Sequence, residues 1–141
     1  MKKISDFKKH FVLLLEAGFI AVNQADEDSA SKLFKAASLL NPQSTLPHIG
    51  IGYLHLHKLE LKQACKAFED VLQKEPSNEM AKAFLGLSMT MTTDKISEGE
   101  KILNQMHEET SDEQVKTLTE SALNFVDRFV KKNPSSKPRA H

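Results

Sequence analysis

A spacing of 34 residues recurs along this chain and constrains its fold more than any other feature. Gly18, Gly52 and Gly86 are separated by 34 residues each. The other residues that repeat at this interval are Ala30 and Ala64, Phe34 and Phe68, and Pro42 and Pro76. Agreement of four residue types on one period predicts a fold made of repeated structural units.

The chemistry of these residues predicts that each unit is a pair of helices. A glycine inside a helix costs about 1 kcal/mol relative to alanine. Three glycines in register therefore indicate a close approach of the first helix of a unit to the second. We expect Ala30 and Ala64 to face these glycines, and Phe34 and Phe68 to fill the space one turn later. Pro47 is expected in the first turn of a helix, where proline is tolerated.

The period divides the chain into three units and a further helix. The predicted units are residues 11–44, 45–78 and 79–111 (together 11–111), preceded by an N-terminal extension, 1–10, and followed by a capping helix, 112–131, and a tail, 132–141. A terminal helix is expected because a repeat array needs its last face covered. The polar, proline-bearing tail is expected to be disordered, and the same is expected of residues 1–7.

The third unit departs from the repeat. Its turn is expected to be one residue longer, so that Gly99, Leu103 and Met106 take the places of the alanine, the phenylalanine and the next packing residue. After it, Ser111 with Gln114 three residues later has the form of a capping box. This pattern predicts that Ser111 begins the last helix.

Composition and charge exclude several classes of protein. The 141 residues are 40% hydrophobic and 27% charged, which is typical of a globular chain with one core. Nineteen basic and nineteen acidic residues give zero formal charge, which argues against a nucleic-acid partner. The single cysteine, Cys65, excludes an intramolecular disulfide. No run approaches the ~20 apolar residues of a membrane helix, and Glu16 interrupts the N-terminal apolar stretch, so we expect a cytosolic protein without membrane insertion.

Catalytic and metal-binding motifs are scarce. His55 and His57 are two residues apart, so they point in different directions on a helix. His48 and His55 share a face, but no further ligand completes a metal site beside them. Cys65 is typical of a small buried side chain, and the segment 50–52 lacks the third glycine of a dinucleotide-binding loop. The sequence therefore predicts no enzyme, no metal and no cofactor.

The 34-residue period and its Gly, Ala, Phe and Pro positions resemble the tetratricopeptide repeat (TPR) family. The resemblance implies an all-α fold, a right-handed superhelix of three helix-turn-helix units plus the C-terminal capping helix. It also implies that the first helix of each unit lines an inner groove that binds a partner. The residues it places in this groove are Val12, Leu15, Phe19, Val22, Leu46, Ile49, Tyr53, Leu56, His57, Met80, Ala83, Leu87 and Met91.

The predicted groove is strongly apolar. Leu15 and Phe19 stand where family members that clamp acidic C-terminal tails carry a lysine and an asparagine, so a carboxylate clamp is not expected. An open apolar groove suits an amphipathic helix or an extended apolar segment of a partner. The alternatives are that these residues form the core, or that the C-terminal helix folds across them.

The size, the three repeats and the groove are together similar to the small TPR-like chaperones of bacterial type III secretion. This resemblance implies a chaperone that binds an apolar helix of the needle subunit and prevents premature polymerisation, with a small co-chaperone as a further partner. A chaperone of hydrophobic translocators is the second interpretation. A general TPR adaptor for protein–protein interactions is the third.

Overall fold

The computed structural model describes residues 2–131, with side chains from residue 6 onward. Within that range the secondary structure is entirely helical, which confirms the all-α prediction. The elements are α1 (Lys2–Asn23), α2 (Glu27–Leu40), α3 (Leu46–His57), α4 (Leu61–Lys74), α5 (Glu79–Thr90), α6 (Ile96–Glu109), α7 (Glu113–Phe125) and a π-helical segment, Val126–Val130. None of the described helices is both long and apolar enough to cross a membrane.

The helices divide between two compact units, whereas the composition of the chain predicts a single core. The first unit is Met1–Val71 and the second is Leu72–His141, so the boundary falls near the end of α4. Within the first unit α1 contacts both α2 and α3, and within the second α6 contacts both α5 and α7. Local contacts of this kind are typical of helical repeats, in which each element packs against its neighbours in sequence.

Each 34-residue interval contains two helices. The pair α1 and α2 falls mainly in 11–44, the pair α3 and α4 in 45–78, and the pair α5 and α6 in 79–111. Helix α1 already begins at Lys2 and runs through the predicted extension, residues 1–10, so the expected disorder of residues 1–7 is wrong over its described part, 2–7. No proline or glycine precedes Gly18, so nothing in the sequence stops the helix earlier. The predicted disorder of 132–141 lies outside the described residues.

One aromatic ring, that of Phe34, joins helices α1, α2 and α3. A Cβ atom added at Gly18 of α1 would lie 2.5 Å from Phe34 Cε1, and the same ring would obstruct a Cβ at Gly50 of α3. Between α3 and α4, a Cβ at Gly52 would lie 2.6 Å from Phe68 Cε1. The predicted close approach at Gly18 and Gly52 is confirmed.

In the second compact unit, the paired helices α5 and α6 contact each other in a different way. A Cβ added at Gly99 of α6 would lie 2.6 Å from the carbonyl oxygen of Gly86 on α5. Leu103 and Met106 are buried, which confirms the predicted shift of the packing positions by one residue. The connection between the helices has five residues (91–95), against three (24–26 and 58–60) in the preceding pairs, so the predicted difference of one residue in turn length is wrong and the observed difference is two.

The N-cap of α7 is Asp112, so the predicted capping box at Ser111 is wrong. An Asp112 carboxylate oxygen accepts hydrogen bonds from the backbone N–H of Gln114, at 2.8 Å, and of Val115, at 3.4 Å. A carboxylate at this position also interacts favourably with the positive end of the helix dipole. Ser111 lies one residue before the cap and is exposed.

Two turns place ordinary side chains in the left-handed backbone region. Ala25, between α1 and α2, has φ 60°, and Leu59, between α3 and α4, has φ 59°. The two residues are 34 positions apart, so the turn geometry repeats along with the helices. An L-residue in this conformation costs roughly 1–2 kcal/mol. The short connections of the first two pairs therefore carry backbone strain.

Candidate functional site

An accessible surface lies across α1 and α3 in the first unit. We call it the α1–α3 face; its residues are Val12, Phe19 and Asn23 of α1 and Leu46, Tyr53 and His57 of α3. The two sets match one to one at the 34-residue interval. Phe19 and Tyr53 are half-buried, and the other four are exposed.

The middle of this face is aromatic and is anchored in the core. The ring of Phe19 meets the buried ring of Phe34 edge-on, with centroids 5.2 Å apart. On its other side Phe19 contacts Tyr53, with ring centroids 5.5 Å apart. Because Phe34 is fixed between two glycine positions, the aromatic pair at the surface rests on a rigid support.

One end of the face is polar. The Tyr53 hydroxyl donates a hydrogen bond to Asn23 Oδ1 at 2.7 Å. His57 Nε2 lies 3.2 Å from the same hydroxyl oxygen, which can accept a hydrogen bond from it. Partial burial raises the pKa of Tyr53 above its ordinary value of 10.0, so the phenol is protonated near neutral pH. The face therefore has an aromatic centre and a hydrogen-bonded end.

An ionic network links the turns next to this polar end. Lys58, at the end of α3, pairs with Glu27 at the start of α2, and its Nζ lies 3.2 Å from Glu60 Oε2. His55 Nδ1 lies 2.8 Å from Glu60 Oε1. The hydrogen bond to Glu27 raises the pKa of Lys58, and the hydrogen bond with His55 lowers the pKa of Glu60. The network holds the starts of α2 and α4 against the end of α3.

Burial divides the predicted groove residues into two classes. The accessible or half-accessible ones are Val12, Phe19, Leu46, Tyr53, His57, Met80, Leu87 and Met91. The buried ones are Leu15, Val22, Ile49, Leu56 and Ala83. Assignment of these five to a partner-binding surface is wrong, because their side chains are covered within the protein and are not available to a partner. The alternative interpretation, that the groove residues form the core, agrees with the burial of these five and not with the accessibility of the other eight.

The accessible groove residues fall in both compact units. In the second unit Met80 and Leu87 lie on α5, and Met91 is the residue that caps it. All three are half-buried. Methionine side chains are flexible and polarizable, which suits them to irregular apolar contacts.

Asn23 is the member of the α1–α3 face that sequence reasoning missed. It is polar and stands at the end of α1, so apolar periodicity gives no signal for it. The signal that could have found it is its 34-residue separation from His57, which was assigned to the groove. Its amide oxygen accepts the hydrogen bond from the only tyrosine of the chain.

The histidines of α3 do not assemble a metal site among the described residues. His48 and His55 line an open groove of about 580 Å³ between α3 and α4, together with Lys62 and Lys66. No cluster of three or more potential ligands from His, Cys, Asp and Glu occurs in the described part of the chain. Lys66 is itself paired with Asp70, at 2.8 Å.

A scan against protein-family models finds no match to this chain, and a search of curated proteins finds none. Inferences about its function therefore rest on its residues and their geometry. On those grounds the α1–α3 face offers apolar contact at Val12 and Leu46, aromatic contact in the middle and hydrogen bonds at Asn23 and His57.

Proposed function

We propose that this chain is a binding protein, without enzymatic activity, and that its α1–α3 face holds an apolar amphipathic helix of a partner protein. The observation that carries the proposal is the accessible aromatic pair, Phe19 and Tyr53, with exposed Val12 and Leu46 two turns earlier on the same helices. Apolar side chains exposed over successive turns form a strip to which the apolar side of a helix is complementary. Such a strip is also a liability for aggregation if it stays uncovered.

The more specific form of the proposal is a cytoplasmic chaperone of type III secretion. It would bind the needle subunit, with or without a small co-chaperone, and keep the subunit from polymerising before export. The support is the 34-residue interval, the two helices in each of three such intervals and the accessible apolar strip. In this proposal the three pairs form a right-handed TPR-like superhelix that residues 112–131 cap. The alternatives are a chaperone of translocator proteins and a general TPR adaptor.

The proposed mechanism needs an affinity that permits release. Because five of the predicted groove residues are core, the apolar area that a partner helix could cover is modest. Burial of roughly 400 Å² at ~25 cal/mol per Å² gives about 10 kcal/mol before costs. Association and side-chain ordering consume several kcal/mol of this. About 6 kcal/mol or less then remains, which corresponds to a dissociation constant of tens of micromolar or weaker and allows secretion machinery to remove the partner.

The first experiment identifies the partner. The tagged protein is used to isolate complexes from its native cytosol, and mass spectrometry identifies what co-elutes. A small helical secretion subunit at near-stoichiometric amount supports the chaperone proposal and decides between needle and translocator. A large permanent assembly without such a subunit contradicts it and favours the adaptor.

The second experiment locates the binding surface with the partner so identified. We expect Leu46→Glu to weaken binding at least about tenfold, because it places a charge in the apolar strip. Leu46 is exposed, so the helical circular dichroism signal should persist. The matched control is Phe129→Glu, which changes an exposed apolar residue of the second unit. Equal binding by Leu46→Glu and the unchanged protein would remove the α1–α3 face as the site.

A further inference from the structure

The α1–α3 face changes from apolar to polar along its length. Val12 and Phe19 lie seven residues apart on α1, which is about 10.5 Å along the helix. Asn23 follows Phe19 after four residues, about 6 Å further on. On α3 the place of Asn23 is taken by His57, 34 residues later in the sequence. Polar side chains therefore occupy the same end of the face on both helices.

The apolar part of the face does not by itself fix the position of a bound helix. Apolar contact is non-directional, and an amphipathic helix repeats its apolar side chains every three, four and seven residues. A partner helix shifted by two turns could still place an apolar side chain against Val12 or Phe19. In coiled coils a single Asn within an apolar seam specifies the register, at a cost in stability. Asn23 is a polar residue that continues the apolar strip of α1 in the same way.

The side-chain amide of Asn23 is held in one orientation. Its Oδ1 accepts the hydrogen bond of the Tyr53 hydroxyl at 2.7 Å, and the hydroxyl oxygen lies 3.2 Å from His57 Nε2. Tyr53 itself packs against Phe19, with ring centroids 5.5 Å apart. Within residues 6–131 the Asn23 side chain makes no other hydrogen bond. Both Nδ2 hydrogens and the second lone pair of Oδ1 therefore remain for a partner.

A side-chain amide is the group that best matches these atoms. An Asn or Gln of the partner can accept a hydrogen bond from Asn23 Nδ2 and donate one to Asn23 Oδ1. A carboxylate has no hydrogen to donate. It would also be repelled by the neighbouring turns, since residues 24–28 and 58–60 include four acidic residues and one lysine. An ammonium group can use only the oxygen and leaves the Nδ2 hydrogens without an acceptor.

We propose that Asn23 fixes the register of the bound helix by pairing with a side-chain amide of the partner, an inference that rests on the proposed function. The partner helix then carries an apolar residue on Phe19 and a second one seven residues away, towards Val12. Its Asn or Gln lies four residues from the first, in the other direction. A register that puts an apolar side chain on Asn23 covers its N–H groups without an acceptor, which weakens binding about tenfold or more.

Two pairs of synthetic helical peptides test the proposal. Each peptide has a background of Ala, Glu and Lys and carries Leu at two positions seven residues apart. A third position, four residues beyond the second Leu, is Gln in one member of a pair and Leu in the other. The second pair has these positions in reverse order, so that both helix directions are covered. Calorimetric titration of the full chain should show, in one pair, about tenfold tighter binding of the Gln peptide.

Variants of the chain assign this preference to Asn23. Asn23→Leu should reverse it, so that the Leu peptide binds several-fold more tightly than the Gln peptide. Asn23→Asp keeps an oxygen for the Tyr53 hydroxyl but has no N–H groups, and it should abolish the preference for Gln. The matched control is Gln24→Leu, which changes an exposed amide outside the face and should retain the preference. Circular dichroism checks that each variant is folded.

The outcomes separate this proposal from the proposed function. If Leu46→Glu weakens binding of the peptides but Asn23→Leu leaves the preference for Gln unchanged, the pairing with Asn23 is overturned and the α1–α3 face stands. Equal binding of the two peptides in both pairs overturns the pairing as well. If no peptide binds at about 1 mM, or if Leu46→Glu has no effect, both proposals are overturned.

Discussion

The ring of Phe34 occupies space that a methyl group at position 18 or at position 50 would need, so a single side chain sets the distances from α2 to α1 and α3. Protein interiors are close-packed, and such a contact has little room to relax. The same ring supports Phe19, which in turn contacts Tyr53 on the α1–α3 face. A change at the glycines is therefore expected to reach the candidate binding surface.

Gly18→Ala tests this contact, because helix propensity and the contact with Phe34 predict opposite changes in the free energy of unfolding. In an unconstrained helix this substitution would stabilise by about 1 kcal/mol, since alanine has the higher helix propensity. We expect a net loss of about 1–3 kcal/mol in the free energy of unfolding, because the new methyl group overlaps the ring of Phe34. Urea denaturation followed by circular dichroism measures it. The double variant Gly18→Ala with Phe34→Leu should be less unstable than the sum of the two single changes.

Residue periodicity predicted the close approach of α2 to α1 at Gly18, although with Ala30 facing the glycine where the structure has Phe34, and it did not predict which apolar residues stay accessible. Leu15 and Val22 alternate along α1 with Val12 and Phe19, and all four are apolar. Adjacent sides of one helix that are both apolar give the same periodic signal, so sequence could not separate the core from the face. Burial in the folded chain separates them.

At the scale of the elements, the repeat predicted the helix pairs, while local chemistry that the repeat does not encode decided their ends. Asp112 caps α7 although Ser111 and Gln114 have the pattern of a capping box. Nothing in the sequence of residues 2–10 separates them from α1. The left-handed turn at Leu59 gave no signal either, because glycine or asparagine is the residue expected there. Its geometry is determined by the two helices that the turn must join.

Leu59→Gly is expected to stabilise the protein. Leu59 has φ 59° and is 64% exposed, so glycine relieves backbone strain and sacrifices little packing. Greater freedom of glycine in the unfolded chain offsets part of this gain. We expect a net increase of about 0.5–1 kcal/mol in the free energy of unfolding, read from thermal and urea denaturation. Gln24→Gly, at a position without positive φ, is the control and should be neutral or destabilising; an equal gain there would contradict the explanation.

At the scale of the whole molecule, titratable groups of the first compact unit limit the pH range in which the protein is stable. They do so at both the acid and the alkaline end. Glu60 has a lowered pKa, so its contribution is present above its ordinary value of 4.5 and is lost as the pH falls through the lowered one. Tyr53 and Lys58 have raised pKa values, so their contributions are present below 10.0 and 10.5 and are lost as the pH rises. The melting temperature is therefore expected to be constant between these acid and alkaline pH values and to fall at lower and at higher pH.

Melting temperatures across the pH range, measured on two variants, check this expectation. Glu60→Gln should reduce the acid-side fall, and Tyr53→Phe should reduce the alkaline-side fall. Because Tyr53 is the only tyrosine and the chain has no tryptophan, phenolate absorbance follows this residue alone. The folded protein should titrate above the denatured protein, and titration of both at the same pH would contradict the burial of the phenol.

The contact of one ring with two glycines also has a consequence for how this sequence can vary. The ring of Phe34 fills the space next to both Gly18 and Gly50. A larger side chain at either glycine position is therefore tolerated only with a smaller one at position 34. Among descendants of a common ancestor, these three positions should change together or not at all. Covariation across 16-residue separations would then record the packing of the first three helices.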